Sequence, residues 1–319
     1  MNRRERVVRA IEFKNPDRIP VWMFNRDIEQ GDVMLYDLRI NEGDDGQNYH
    51  GGSISEWGYR WKRLDDGSMG QPTEPVIPEW SDLDKYRFPE VNAVRRLAGL
   101  KDYKIKSEGY YRLPVMIITG YTTYTFLRGF ENAMVDFMLE RERAEFLLDG
   151  IFGFEKKLMT LAADAGFDGF HFGDDWGTQD GLMISPELWR EVFKPRYRDQ
   201  FDHAHKLGLH VWFHSCGNPT AILEDFHEIG VDVMNIAQPN VVGLEDVSRK
   251  FRGRQCFMMP ISYQTVSISG KPVEIIEEGR RLKNLFATDE GGFIGYVEEY
   301  GCMGMSEENY QSCIRAFQT

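Results

Sequence analysis

The chain has 319 residues, a formal charge of −13, and 42% hydrophobic against 28% charged residues. This is ordinary for an enzyme-sized protein with a real core. The acid excess argues against a general nucleic-acid binder and against docking on anionic lipid, since both need lysine and arginine in excess.

The opening "MNRRERVVRAIEFKNPDRIP" has no apolar segment behind its arginines, so it does not read as a signal peptide. No run approaches the roughly 18–20 apolar residues of a membrane helix. Four cysteines, Cys216, Cys256, Cys302 and Cys313, include no C-x-x-C pair and do not resemble a disulfide scaffold. The expected setting is cytoplasmic, with reduced thiols.

In chain order, Val7, Val8, Ile11 and Phe13 give the first stretch the apolar side of a helix, and "NPDRIP" ends it. "VWMF" follows as a strand. Residues 29–92 read as an N-terminal hairpin or loop insertion, because "EWGYRWKRLDDGSMG" alternates aromatic and polar residues and contains Asp-Asp-Gly.

From about residue 113 a rhythm sets in. "LPVMIITG", "FDGFHFGDD", "LHVWFHSCG", "VDVMNIAQ", "CFMMPIS" and "GGFIGYV" are strand-like, with helical segments between them. One such segment starts with Ser185 as N-cap, Pro186 and Glu187 and ends near Gly208; the next repeats the scheme with Asn218, Pro219 and Gly230. No G-x-G-x-x-G follows any strand. The expectation is one α/β domain over residues 1–319, a (β/α)8 TIM barrel with the insertion at 29–92.

In such a barrel, active sites lie at the C-terminal strand ends. "GYTTY", "GDDWGTQDG", "HSCGN", "AQPN", "PISYQ" and "YVEEYGC" sit there and hold most of the unusual polar clusters. His214 and Cys216, two apart, point the same way and suit zinc, which takes imidazole and thiolate. The blander alternative is a hydrogen-bonded core histidine beside a small buried thiol. Glu298, Glu299 or Cys302 would supply a third ligand. Asp174 and Asp175, with Gln179 nearby, suit proton transfer or substrate anchoring, or else loop closure. His171, inside its strand, reads as a lining residue, and Cys256 and Cys313 as packing. "DFHEIG" matches a cobalamin-gripping D-x-H-x-x-G, but it lies within an amphipathic helix and is a chance match.

"HFGDDWGTQDGLMISPELWREVFKPRYR", "HVWFHSCGN", "EIGVDVMNIAQPN" and "SEENY" resemble the uroporphyrinogen decarboxylase superfamily, and "RRERVVRAIEFKNPDRIPVW" looks like its N-terminal signature. The resemblance implies the barrel and one of two chemistries. Metal-free decarboxylases hold a tetrapyrrole with an arginine-rich motif and a late histidine; here Arg26 stands alone and that histidine is missing. The other branch consists of zinc methyltransferases with His-x-Cys and one further ligand. His214 and Cys216 match it, and a gapless count puts Glu299 at the third position, with Cys302 as the alternative.

"GDDWGTQ" and "ISPELW" most resemble the O-demethylase methyltransferases. The resemblance therefore implies methyl transfer from a methoxylated or other methylated small molecule to the cobalt of a corrinoid (cobalamin) on a separate partner protein. On that reading Asp174 or Asp175 serves catalysis, and Tyr121, Trp176, Gln179 and Gln238 line the pocket. Tyr124 adds to the aromatic supply. The rivals are a methylcorrinoid-to-thiol methyltransferase, a metal-free decarboxylase, and a non-catalytic binding barrel. A homodimer is compatible with each.

Overall fold

The computed structural model describes residues 1–42, 54–62 and 70–318. Its frame is eight parallel strands: β1 (Val21–Met23), β2 (Val33–Asp37), β3 (Tyr111–Met116), β4 (Gly169–Gly173), β5 (His210–Ser215), β6 (Val233–Ile236), β7 (Cys256–Pro260) and β8 (Phe293–Val297). They pair in the order β1-β8-β7-β6-β5-β4-β3-β2. The seam between the outer two closes through Asp32 N–H, which donates to Val21 O at 2.7 Å. This is the (β/α)8 barrel expected from the strand-helix rhythm.

Strand alternation divides the core into two layers. Trp22, Tyr111, Leu113, Trp212, Val233, Met258, Ile294 and Tyr296 fill the interior, and Val7 and Ile11 of helix Arg3–Ile11 join them. The complementary residues, such as Phe172, Phe213, Ile236, Phe257 and Val297, pack against the surrounding helices. Cys256 and Cys313 are both buried. Among the described residues no helix is long and apolar enough to cross a membrane.

Two expectations need correction. The insertion begins later than position 29, because residues 33–37 form β2 and pair in parallel with β3. Its hairpin pairs Trp61 with Pro72 and Lys62 with Gln71, antiparallel; the Asp-Asp-Gly turn lies outside the described residues. A second ladder joins Asn41–Glu42 to Ile54–Ser55. The segment from Ser185 to Gly208 is two helices, Pro186–Val192 and Lys194–Lys206. Ser185 Oγ caps the first, accepting from Leu188 N–H at 3.2 Å. Pro195 lacks the N–H that would continue it, so a new helix starts there.

Candidate metal centre at the barrel mouth

His214 is the last inward-facing residue of β5, above an aromatic layer in which Trp22 meets Trp212, Tyr296 and His171 edge-on. Register places Asn235 of β6 beside His214 and beside Met258 of β7. Asn235 Nδ2 donates to Met258 O at 2.9 Å, which turns its Oδ1 toward His214 Nδ1 at 2.6 Å. The imidazole therefore carries its proton on Nδ1, and Nε2 is left as a free donor atom. An outer partner of this kind orients many metal-binding histidines.

Two loops bring the rest. Asp174 N–H donates to His214 O at 3.1 Å, Trp176 N–H to Ser215 Oγ at 3.0 Å, and Asn218 N–H to Thr178 O at 2.8 Å. These bonds lace the loop after β4 to the loop after β5. Gly177 and Gly217 meet backbone to backbone: a Cβ on either would collide with the other's main chain, and Gly217 has φ +70°. Only glycine permits such an approach.

Asp175 and Cys216 are brought together as a result, with Cys216 N–H donating to Asp175 Oδ1 at 2.7 Å. His214 Nε2 stands 3.5 Å from Cys216 Sγ and 3.6 Å from Asp175 Oδ1. All three ligand atoms lie within 4.8 Å of one another. Ligands held about 2.0–2.3 Å from a tetrahedral ion stand roughly 3.3–3.8 Å apart, so the spacing and the imidazole-thiolate-carboxylate set fit zinc.

Glu298 completes the inner surface, two residues beyond inward-facing Tyr296. Its Oε2 accepts from Tyr296 Oη at 2.6 Å and Tyr300 Oη at 2.9 Å. Burial pushes this carboxyl up, while the two phenols and His214 pull it down. Burial, then Asp175 and Glu298, push the Cys216 thiol well up. Neither Asp175 nor Glu298 forms an ion pair with a lysine or arginine among the described residues.

The other expected site residues fall in different places. Glu299 is not brought to the cluster; its N–H donates to Asn25 Oδ1 at 2.8 Å, and its carbonyl accepts from Asn25 Nδ2 at 2.9 Å. Cys302 is exposed on the turn Gly301–Met303. Asp174 is fully buried and accepts from Tyr121 N–H, Thr122 N–H, Thr122 Oγ1 and Tyr197 Oη. It anchors the start of helix Gly120–Arg128, where Gly120 N–H donates to Glu155 Oε1 at 2.7 Å. Burial pushes Asp174 up to about 7 and Glu155 up to about 8.

Tyr121 stacks on Trp176 at 4.8 Å and 9°, and both are fully buried, as is Tyr124. They pack a wall and do not line an opening. His171 is buried too, and desolvation followed by His214 lowers it to about 3, so the ring is neutral.

Gln179 and Gln238 do reach the rim. Gln238 Oε1 accepts from Gln179 Nε2 at 2.9 Å and Gly217 N–H at 2.8 Å, while its Nε2 donates to Tyr263 Oη at 2.8 Å. Sequence reading passed over Asn235, Tyr263, Tyr296 and Tyr300. Asn235 did leave a trace, as the polar residue on the inward face of an otherwise apolar strand.

A family model described as uroporphyrinogen decarboxylase (URO-D) matches residues 65–303. No curated protein matches the sequence. Among solved structures, a methyltransferase from Methanosarcina mazei superposes with a TM-score of 0.77 at 14% identity, over 100% of this chain and 98% of that one. A glycosylated endo-beta-1,4-xylanase of glycoside hydrolase family 10 from Gloeophyllum trabeum reaches 0.46 at 9% identity, over 76% of this chain and 83% of that one. The first likeness establishes a shared fold, and the second carries no argument.

Proposed function

Because this chain belongs to the uroporphyrinogen decarboxylase family, we propose that it is a methyltransferase, moving a methyl group from a methoxylated or other methylated small molecule to the cobalt of a corrinoid carried by a separate protein. One observation carries the reading: His214 Nε2, Cys216 Sγ and Asp175 Oδ1 lie within 4.8 Å of one another at the mouth of the barrel. The name of the Methanosarcina mazei protein agrees with it. Zinc bound there would act as a Lewis acid on the heteroatom that gives up the methyl group.

The protein's own residues do the rest. Asn235 fixes the His214 tautomer, and the Cys216 N–H holds Asp175 Oδ1 in place. The Tyr296 and Tyr300 hydroxyls hold Glu298 at the same mouth, where it forms one wall of the substrate space. Gln238, braced by Gln179 and Gly217, sets the position of Tyr263 at the rim. Decarboxylation of a porphyrin-like polyacid fits less well, because carboxylates need cationic partners and the charged groups acting on Cys216 are both acids.

The test is metal analysis by mass spectrometry on protein purified without chelator. About one zinc per chain is expected, lost in His214→Ala and Cys216→Ser. Corrinoid-dependent release of methyl groups then measures activity. A wild type that takes up no zinc on reconstitution overturns the reading.

A further inference from the structure

The tyrosine hydroxyls around the mouth are not equally engaged. Tyr296 and Tyr300 both turn theirs to Glu298 Oε2, at 2.6 and 2.9 Å. Tyr263, in the loop after β7, is half-buried and lies against the Tyr300 ring at 4.9 Å and 35°. Its oxygen accepts from Gln238 Nε2 at 2.8 Å. That bond uses a lone pair and leaves the phenolic proton uncommitted. Among the described residues no acceptor stands before that proton.

The orientation of Gln238 follows from its other partners. A carboxamide fits either way round, but the Gly217 N–H is a backbone donor and must meet an oxygen. It donates to Gln238 Oε1 at 2.8 Å, and Gln179 Nε2 donates to the same oxygen at 2.9 Å. The amide nitrogen is therefore the end that faces Tyr263. Gly217 directly follows Cys216, so this one amide ties the Tyr263 hydroxyl to the cluster. Burial pushes the Tyr263 phenol up, and Cys216, Glu298 and Asp175 add to the push against the pull of Gln238. The hydroxyl accordingly keeps its proton at neutral pH.

We propose that Tyr263 gives a proton to the oxygen that departs, so that the methyl donor is a methyl ether released as a neutral phenol or alcohol. The proposal rests on the methyltransferase reading above. Other carriers are placed elsewhere: Asp174 lies inside the wall, Asp175 belongs to the metal cluster, and the Tyr296 and Tyr300 hydroxyls face Glu298.

The chemistry balances. An ether oxygen has two lone pairs, so one can face the Lewis acid while the other accepts from Tyr263 Oη. When the C–O bond breaks, its electron pair stays on oxygen and the methyl group passes to the cobalt nucleophile of the proposed reaction. The Tyr263 proton moves to that oxygen, and water at the rim returns one to Tyr263. A positioned proton donor contributes about 10²–10⁴-fold to such a step, and most where the leaving oxygen is most basic.

The test measures methyl transfer to free cob(I)alamin by the zinc-reconstituted protein from 4-methoxyphenol, whose phenolate leaves poorly, and from 4-nitroanisole, whose phenolate leaves well. Tyr263→Phe is expected to slow the first by about 100-fold or more and the second by less than about tenfold. Gln238→Glu keeps an acceptor for Gly217 and sets another before the Tyr263 proton, so it should reproduce the graded loss with the phenol still present. Absorbance titration with 4-nitrophenol reads the same bond without turnover, and Tyr263→Phe should weaken its binding by about tenfold. Equal slowing of both ethers, no slowing of either, unchanged 4-nitrophenol affinity, or a graded loss in Glu298→Gln in place of Tyr263→Phe overturns the proposal and leaves the methyltransferase reading intact. So does a wild type that takes methyl groups only from amines or thiols. A wild type that transfers no methyl group from any of these donors overturns both.

Discussion

The floor and the mouth of the barrel treat the same side chain in opposite ways. At the floor Asp32 is fully buried and completely partnered: Arg6 Nη1 reaches it at 2.7 Å, Arg18 at 2.8 and 2.9 Å, and Val21 N–H at 2.9 Å. At the mouth Asp175 is half-exposed, bonded to one backbone N–H and 3.6 Å from His214. The floor uses its carboxylate to tie helix Arg3–Ile11 to the seam between β1 and β2. The mouth leaves Asp175 and Glu298 without a lysine or arginine partner among the described residues. Overall charge does not create this contrast; the distribution of arginines does.

Stability separates the two ends most sharply. Asp32→Ala should cost about 1–3 kcal/mol, because it leaves Arg6 Nη1 and the Val21 N–H without their buried acceptor while Asp17 still pairs with the rest of the guanidinium, and Asp175→Ala should stay within about 0.5 kcal/mol. Urea unfolding of both variants checks this, and similar losses in the two would erase the distinction. Metal affinity should reverse the order. Asp175→Ala and Asn235→Ala should each weaken zinc binding by about 10–100-fold in a chelator competition, with Asp32→Ala protein that is still folded keeping wild-type affinity.

A third test concerns the buried wall beside the mouth. Glu155 rises from an ordinary 4.5 to about 8 in the folded protein, so between those values the folded state holds a proton that the unfolded chain has released. Stability therefore falls as pH rises through that window and levels off above it. Glu155→Gln should flatten this slope, leaving the part due to Asp174, and should melt a few degrees higher than wild type near the alkaline end. The smallest effect belongs to Gln179→Ala at the exposed rim, within about 0.5 kcal/mol of wild type by urea unfolding.

Most of the frame was legible because short, nearly continuous apolar runs mark strands buried on both faces, and seven of the eight strands stand out in that way. β2 escaped because its residues 34–36 are only partly buried and its apolar run is broken by Asp37. The spacing of His214 and Cys216 singled them out as a pair but left a metal site and a buried core pair both open.

Their surroundings could not. Asp174 and Asp175 are indistinguishable in sequence, yet one closes a helix start inside the wall and the other faces the open mouth. Glu298 and Glu299 differ by one position, and at a strand end one position exchanges the inside of the barrel for the outside. Tyr121 and Trp176 stand in the right loops, but their rings stack into the wall. Periodicity locates elements, and the rotation of a loop after its strand decides which neighbour faces the chemistry.

The contact between Gly177 and Gly217 bears on how the mouth is held. Because two main chains touch there, the backbones that carry Asp175 and Cys216 cannot approach each other more closely. A side chain larger than hydrogen at either glycine would drive the two loops apart and strain the N–H bond from Cys216 to Asp175. The glycine pair is thus a spacer beneath the cluster, with its stop built into the chain itself.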